Sequence, residues 1–230
     1  MIHAMDVSMT YPGEIVVLRN INFKISPGEF VFIHGTSGTG RTTLLRILIG
    51  AEKPTRGEVV INGMKITEKG FNKIHELRKT LGIISQDFKL LRDRTVSENV
   101  AFPLEVAGHG RKEVQKRVSR VLVEVGIEDR EGHPIHLLSA GEQQRVGIAR
   151  AIIHDPDLLL ADEPTGNLDA QRADDMMRIF TSLHEKRTTI VFATRNKEII
   201  EHYPHRVISI PGESGIDGSR VDTTRSETQR

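Results

Sequence analysis

Two neighbouring segments between Leu138 and Asp169 decide the fold. They read Leu138-Ser-Ala-Gly-Glu-Gln-Gln-Arg145 and Leu158-Leu-Leu-Ala-Asp-Glu-Pro-Thr-Gly-Asn-Leu-Asp169. The apolar run 158–161 has the length of a buried strand, and two adjacent carboxylates, Asp162 and Glu163, follow it. Burying two carboxylates is costly unless a cation uses them, and ligands of α/β sheets bind where strands end. The second segment therefore predicts a cation and ligand site at the end of a strand.

A glycine-rich turn supplies the second half of this site. The run Phe30 to Ile33 predicts a short buried strand, and an apolar helix is predicted after the turn. Glycines let consecutive backbone N–H groups wrap phosphates. The turn fits the P-loop pattern Gly-x4-Gly-Lys-[Ser/Thr], although Arg41 stands at the lysine position. Alone it is compatible with an ordinary glycine-rich turn, but with Asp162 and Glu163 about 120 residues later it predicts a nucleotide site.

The predicted contacts to the nucleotide follow from this pattern. They are Gly35, Thr36, Ser37, Gly38, Thr39, Gly40, Arg41, Thr42 and Thr43. The hydroxyl of Thr42 is also a predicted ligand of Mg²⁺, and the dipole of the following helix favours bound phosphate. Asp162 is predicted to hold the same Mg²⁺ through its water shell, because hard cations prefer oxygen ligands.

The chain resembles a known family in both segments. Ser139-Ala140-Gly141 opens an apolar-periodic helix, and small residues at a helix start leave backbone N–H groups free for an anion. In order and spacing, this helix start and the 158–163 strand resemble the signature motif and Walker B strand of the ATP-binding cassette (ABC) ATPases. The resemblance covers about residues 1–210. It implies an α/β P-loop NTPase fold with a RecA-like core, an antiparallel β subdomain and an inserted helical subdomain.

The resemblance and the local patterns together predict the organisation of the chain. The core is expected at 1–86 and 156–210, the helical insert at 87–155, and a disordered tail at 211–230. In the insert, 111–125 carries its apolar residues on one helical face. Further elements are predicted as two early strands around Tyr11-Pro12-Gly13, a hairpin turn at Asn62-Gly63, a helix over Phe71 to Lys79, and strands at Leu81 to Ser85, Thr189 to Ala193 and Val207 to Ile210.

The resemblance also implies functional roles for residues that would otherwise be interpreted as ordinary loop, turn or strand-end residues. Glu163, one step beyond Asp162 and on the other strand face, would orient and polarise the attacking water. Gln86 would touch Mg²⁺ and that water while linking to a membrane partner; otherwise it is a polar loop residue. Tyr11 would stack on adenine; otherwise it is a turn tyrosine. Positioning and charge stabilisation are what phosphoryl transfer requires.

In the ABC family, the signature motif closes over the ATP of a second subunit. Ser139 and Gly141 are therefore expected to complete the site of a partner copy in a homodimer, with Asp169 running across the interface. Ala140 stands where the family usually has glycine, and Arg195 where it usually has a γ-phosphate-contacting histidine. Arginine is not a neutral replacement for lysine or histidine. Arg195 is expected either to add charge opposite Arg41, as an arginine finger does, or to point into solvent.

Composition limits the remaining classes of protein. The 230 residues carry a net charge of +1 and no cysteine, so nothing favours nucleic-acid binding, disulfides or a cysteine nucleophile. The first six residues lack the apolar core of a signal peptide, and no apolar run approaches the roughly 20 residues that span a bilayer. We therefore expect a cytoplasmic chain that reaches the inner face of the membrane only through a partner.

Within the family, two segments indicate a subgroup. Residues 85–108 resemble the ABC ATPases of bacterial cell division, which act as homodimers under a membrane protein to control cell-wall hydrolases. Residues 139–169 resemble the same group but are shared with lipoprotein-release and macrolide-export ATPases. A third alternative is a nucleotide-gated scaffold with little hydrolysis. The membrane partner is expected to dock beside Gln86 on Phe88, Leu90 and Leu91, unless these three residues pack the core of the insert.

Overall fold

The computed structural model describes residues 1–36, 38–166 and 168–211. Ser37, Asn167 and the predicted disordered tail after Pro211 lie outside the described residues. Two sheets organise the described chain, one antiparallel with the strand order β2-β1-β4-β5 and one parallel with the order β6-β7-β8-β3-β9. Helices cover both faces of the parallel sheet, as its near-continuous apolar strands require.

The strands and helices have the following bounds. The strands are β1 Ile2–Tyr11, β2 Ile15–Ile25, β3 Phe30–His34, β4 Arg56–Ile61, β5 Met64–Lys65, β6 Leu81–Ile84, β7 Leu158–Asp162, β8 Thr189–Thr194 and β9 Arg206–Ser209. The helices are α1 Arg41–Leu48, α2 Ile74–Lys79, α3 Val96–Val106, α4 Arg111–Val125, α5 Ala140–Ile152, α6 Ala170–Glu185 and α7 Lys197–His202. Two short 3₁₀ turns, Glu128–Arg130 and Ile135–Leu137, join α4 to α5.

The parallel sheet is buried on both faces, and its strands divide their side chains between two cores. In β3, Phe30 and Phe32 face the core shared with the helices of the insert, whereas Val31 and Ile33 face the core shared with α1 and the antiparallel sheet. The five strands run in one direction, so their carboxyl ends form one edge. The loops after β3, β6, β7 and β8 therefore gather at that edge, where α/β proteins bind ligands.

The antiparallel sheet packs behind the loop that precedes α1. Its β4–β5 hairpin has a two-residue loop, Asn62-Gly63, and both residues have positive φ, at 50° and 78°. Such angles fit the primed turns whose twist matches that of paired strands, so the predicted hairpin is confirmed. Apolar side chains of β1, β2 and β4 join those of α1 in a common core.

Three helices, α3, α4 and α5, pack on one another in the stretch between β6 and β7. The predicted face of α4 is buried, and its residues are Val114, Val118, Val121, Leu122 and Val125. At the start of α3, Thr95 and Glu98 form a capping box, and Gly126 ends α4 in a left-handed conformation. These local signals fix the limits of helices whose stability comes from the shared core.

The expected fold class is confirmed, and a few boundaries differ. Residues 71–73 precede α2 rather than belonging to it, and β6 ends at Ile84. Glu163 was expected on the strand, but β7 ends at Asp162 and Glu163 follows it with a φ of 47°. Among the described residues, no helix combines the length and apolarity needed to cross a membrane.

Candidate nucleotide-binding site

The amino end of α1 forms the floor of the candidate site. Gly40 precedes the helix with a φ of 88°, and no side chain of the described residues caps the first turn. A Cβ at Gly40 would lie 2.7 Å from the side chains of Val17 and Leu18, so only glycine fits between the loop and β2. The uncapped N–H groups of the first helical turn remain available to an anion, which the helix dipole also favours.

Arg41, at the position of the expected lysine, already has acceptors within the loop. Its guanidinium donates to the carbonyl oxygens of Gly35 and Thr36, the latter at 2.8 Å. Its Nη2 lies 2.7 Å from Oε1 of Glu163, and the two side chains are only 10% and 7% exposed. The Nε of Arg41 has no hydrogen-bond partner among the described residues. The cation of the P-loop is therefore paired with the predicted catalytic carboxylate.

Glu163 is held from two sides. Its backbone N–H donates to the carbonyl of Ala193 at 2.9 Å. Its second carboxylate oxygen, Oε2, accepts long contacts of 3.4 Å from the Thr194 hydroxyl and the Arg195 backbone N–H. A non-glycine residue with positive φ costs free energy that neighbouring contacts must offset, and such positions cluster at functional sites. The end of β8 thus positions the carboxylate that the end of β7 supplies.

Asp162 presents a buried carboxylate that is incompletely satisfied. The residue is 8% exposed, and its Oδ1 has no hydrogen-bond partner among the described residues. Burial raises the pKa of Asp162, while a hydrogen bond from Thr42 partly opposes that shift. An unsatisfied carboxylate oxygen beside a threonine hydroxyl is the donor set that Mg²⁺ prefers when phosphates complete its shell. Thr42 and Asp162 therefore fit the predicted metal position.

Tyr11 lies beside the floor of the site, at the end of β1. Its hydroxyl donates to Oε2 of Glu52 at 2.5 Å and lies 3.3 Å from Oγ1 of Thr43. The bond to Glu52 raises the pKa of Tyr11. Glu52 also pairs with Arg46 of α1 at 3.0 Å. These contacts fix the ring next to α1, and adenine stacking on it stays a prediction.

Gln86 is exposed at the carboxyl edge of the sheet, two residues after β6. Among the described residues, no hydrogen bond joins its side chain to the P-loop, Asp162 or Glu163. The apolar residues that follow it are half-buried: Phe88 and Leu90 pack against the core that contains α3, α4 and α5. The main chain of Leu91 is bound by the buried side chain of Asn99, at 2.8 and 3.0 Å. Packing of the insert's own core therefore accounts for Phe88 and Leu90.

The signature motif caps its own helix. Ser139 precedes α5, its hydroxyl donates to Glu142 at 2.7 Å, and its backbone N–H donates to the same carboxylate at 2.8 Å. These bonds, with Arg130 at 2.8 Å, lower the pKa of Glu142 to about 2. Asp169 similarly caps α6, accepting from the N–H of Arg172 at 2.9 Å. Both motif residues are thus fixed at exposed helix ends.

The described contacts bring together one part of the predicted set. Arg41 contacts Glu163, Thr42 contacts Asp162, and Tyr11 contacts Thr43. Among the described residues, no hydrogen bond links Ser139, Gly141 or Asp169 to the P-loop. The side chain of Arg195 is exposed, and only its backbone N–H reaches Glu163.

Sequence reasoning missed three further residues. Glu52 holds Tyr11, Glu142 holds Ser139, and Arg150 binds the carbonyls that follow Gln86. The capping-box spacing from Ser139 to Glu142 was the one available signal, because Ser-x-x-Glu at a helix start predicts reciprocal capping.

The P-loop before α1, the carboxylate pair after β7 and the helices inserted between β6 and β7 define a P-loop nucleotide-binding domain. A family model described as "ABC transporter" matches residues 18–166. The chain therefore belongs to the ABC transporter family and is an ATP-binding domain of that family.

Proteins of known identity resemble nearly the whole chain. It is 42% identical over 216 residues to the "Cell division ATP-binding protein FtsE" of Bacillus subtilis, a match that covers 94% of each chain. It is 41% identical to the protein of the same name from Escherichia coli K12, covering 91% of this chain and 95% of the relative. A solved structure, the dimeric post-hydrolysis state of the ATP-binding cassette MJ0796 bound to ADP and Pi, superimposes with a TM-score of 0.83 at 34% identity. That superposition covers 91% of this chain and 94% of the other.

The contrast between Asp162 and Glu163 predicts opposite effects on stability. Asp162→Asn removes a desolvated charge and should raise the free energy of unfolding of the nucleotide-free protein by about 1 kcal/mol. Glu163→Gln removes the carboxylate partner of buried Arg41 and should lower it by roughly 1–3 kcal/mol. Urea denaturation without nucleotide measures both.

The pH dependence supplies the control. Because the folded pKa of Asp162 is raised, its charge destabilises the fold above the ordinary Asp pKa and costs nothing once pH falls below it. The gain from Asp162→Asn should therefore be present at pH 7.5 and shrink toward pH 4. A destabilised Asp162→Asn at pH 7.5 would contradict the account of the buried carboxylate.

Proposed function

We propose that this chain is the ATP-hydrolysing subunit of a membrane complex of the FtsEX type. In that role, ATP-driven dimerisation would control cell-wall hydrolysis during cell division through an integral membrane partner of the FtsX type. The observation that carries the ATPase assignment is the buried pair Asp162 and Glu163 at the end of β7, beside the P-loop. The cell-division assignment is supported by the FtsE relatives, which match over more than nine-tenths of the chain.

The first step of the proposed mechanism is an exchange of partners by Arg41. Phosphate oxygens at the amino end of α1 offer the guanidinium stronger acceptors than the carbonyls of Gly35 and Thr36. The exchange releases Glu163 from its ion pair and frees the carboxylate for the attacking water. ATP binding would thus prepare the catalytic carboxylate by removing its cation.

Hydrolysis then rests on positioning. Glu163 orients and polarises the water, held by the Thr194 hydroxyl and the backbone of Arg195. Thr42 and Asp162 would hold Mg²⁺, which when bound neutralises charge on the transferred phosphoryl group. Gln86 would join the site from the exposed edge of β6, and the Arg195 side chain is placed in solvent until a ligand recruits it.

The proposed catalytic unit is a homodimer. Ser139 and Gly141 lie at the start of α5, where the capping box uses the N–H groups of Ser139 and Glu142. The N–H groups of Ala140 and Gly141 between them would face a phosphate of the facing copy. Asp169 lies at the start of α6, in the segment expected to cross the interface. The MJ0796 cassette, similar in fold, is dimeric in its ADP-bound structure. Two composite sites would therefore form between two chains.

One observation supports a second candidate, a nucleotide-gated scaffold with little hydrolysis. The Arg41–Glu163 ion pair is almost fully buried, and the guanidinium donates to Glu163 and to the carbonyl oxygens of Gly35 and Thr36 at the same time. If this pair persists with ATP bound, Glu163 cannot orient water. ATP would then drive dimerisation without rapid turnover.

We place the docking surface of the membrane partner on α3 and the loop before it, next to Gln86. Phe102 and Val106 lie four residues apart on α3 and are exposed, Val106 by 72%. Arg94 of the preceding loop lies over the ring of Phe102 at 5.4 Å, so loop and helix present one surface. Phe102 and Val106 are exposed apolar side chains that a partner could contact, whereas Phe88 and Leu90 are half-buried against the core of the insert.

The composite site predicts dimerisation by ATP. Glu163→Gln should bind ATP, lose hydrolysis and accumulate as a dimer, measured by light scattering with saturating Mg-ATP. Ser139→Asp added to this variant should return it to monomer, because a carboxylate would face the phosphate. A Glu163→Gln protein that stays monomeric with Mg-ATP and membrane partner present would contradict the composite site.

The Arg41–Glu163 ion pair predicts an effect on the hydrolysis rate that separates the two candidate functions. If the ion pair persists with ATP bound, Arg41→Lys, which replaces the planar fork by a compact ammonium, should release Glu163 and raise kcat by about tenfold, or roughly 1.4 kcal/mol of barrier. If ATP itself releases Glu163, the same change should leave kcat within about twofold of the parent. Arg46→Lys makes the same change at an exposed position of α1 and should leave kcat within twofold. Steady-state turnover with the partner present measures both, and an unchanged rate in Arg41→Lys would show that Arg41 does not limit hydrolysis.

The docking surface predicts selective loss of the partner. Val106→Asp should reduce co-purification with the membrane partner by at least tenfold, because a carboxylate replaces an apolar contact. Val123→Asp makes the same change on α4, where the valine is 61% exposed, and should bind normally. Equal capture of both variants would place the docking surface elsewhere.

A further inference from the structure

The segment that follows Gln86 contains a turn that is unfavourable on its own. Phe88 and Lys89 have φ values of 49° and 45°, and neither is glycine. Side chains disfavour this left-handed region, because the Cβ comes too close to the following carbonyl oxygen. Two such residues in succession persist only where surrounding contacts hold them.

One helix, α5, provides those contacts. The guanidinium of Arg150 donates to the carbonyl oxygen of Lys89 at 3.0 Å and to that of Phe88. The ring of Phe88 lies over Gly147, where a Cβ would come within 2.8 Å of the ring. Gly147 and Arg150 are three residues apart and share a helical face, so together they form a seat for the turn.

The seat and the turn depend on each other electrostatically. Arg150 is half-buried, burial lowers its pKa, and no carboxylate among the described residues pairs with it. Its charge is satisfied by the two turn carbonyls. Moving the turn away would leave a desolvated cation without acceptors, which costs more than the hydrogen bonds alone. Displacement of the segment after Gln86 therefore acts directly on α5.

The opposite end of α5 begins at the signature serine, Ser139. The helix runs from there to Ile152 and is continuous, with its core face buried. A change at Arg150 is therefore transmitted along a rigid element to the residue that is expected to meet the partner copy's ATP. Gln86 and Ser139, which share no hydrogen bond in the described residues, are joined by this route.

We propose that Arg150 is a positioning residue: by clamping the Phe88-Lys89 turn onto α5, it fixes Gln86 and couples the partner-facing segment to the signature motif. The catalytic part of this inference rests on the proposed ATPase function, whereas the clamp itself does not. Arg150 has no contact with the P-loop or with Glu163 in the described residues, so its effect should fall on turnover rather than on ATP binding.

Hydrogen exchange in the nucleotide-free protein tests the clamp. In Arg150→Met, the amides of residues 86–91 should exchange at least tenfold faster than in the parent, because the turn loses its donors. The matched control is Arg78→Met, since Arg78 also donates to two consecutive carbonyls, those of Ile49 and Gly50, at 3.1 and 3.4 Å. Arg78→Met should leave 86–91 unchanged. Unchanged exchange in Arg150→Met would overturn the inference.

Steady-state kinetics test the coupling. Arg150→Met should lower kcat at least fivefold with the KM for ATP within twofold of the parent, and Arg150→Lys, which keeps one donor group, should recover part of the loss. A merely structural role would instead lower the unfolding midpoint without separating kcat from KM. Faster exchange with an unchanged kcat would overturn the positioning role.

A second variant tests the clamp in case Arg150→Met does not fold. Gly147→Ala pushes Phe88 off the helix while leaving Arg150 in place, and should also speed exchange at 86–91. If it does not, the seat is not what holds the turn. A parent protein without measurable hydrolysis would count against the proposed ATPase function, and hydrogen exchange would then decide the clamp by itself.

Discussion

A parallel sheet that is apolar on both faces leaves only its strand ends for polar chemistry, and β7 places two carboxylates there. Both are nearly excluded from solvent, which is unfavourable for either charge alone. Glu163 is neutralised by Arg41, while one oxygen of Asp162 has no hydrogen-bond partner within the part of the chain that the structure describes. The loop before α1, the end of β8 and the Thr42 hydroxyl are arranged around this unequal pair, so the site is organised by how each charge is compensated.

Local patterns in the sequence were sufficient for several strands, turns and helices of the fold. The alternation of β1 and β2, the Asn62-Gly63 turn and the apolar face of α4 each have a period or turn chemistry that acts over a few residues. Some boundaries shifted: Glu163 leaves the strand because its φ of 47° departs from the extended conformation, although its N–H still bonds across to Ala193. The glycine-rich loop and the paired acids predict the candidate site for the same local reason.

The partners of individual side chains could not be read from the sequence. Arg41 and Glu163 are far apart along the chain and meet only because β3 and β7 belong to one sheet. The contacts of Tyr11 with Glu52 and of Arg150 with the carbonyls after Gln86 likewise depend on which elements the fold brings side by side. The sequence identified groups with the right chemistry, whereas the three-dimensional arrangement decides which of these groups form hydrogen bonds or ion pairs with each other. Phe88 illustrates this: its apolar character left both a docking residue and a residue of the insert's core open, and in the structure its ring packs over Gly147.

The internal neutralisation of Arg41 also bears on ligand selectivity. An anion that enters the loop must compete with a carboxylate and two carbonyls that already surround the guanidinium. A weakly charged anion gains too little from Arg41 and the amides of α1 to displace them, whereas a polyphosphate engages several of these donors at once. These contacts of Arg41 therefore disfavour small inorganic anions and favour ligands with several linked charges.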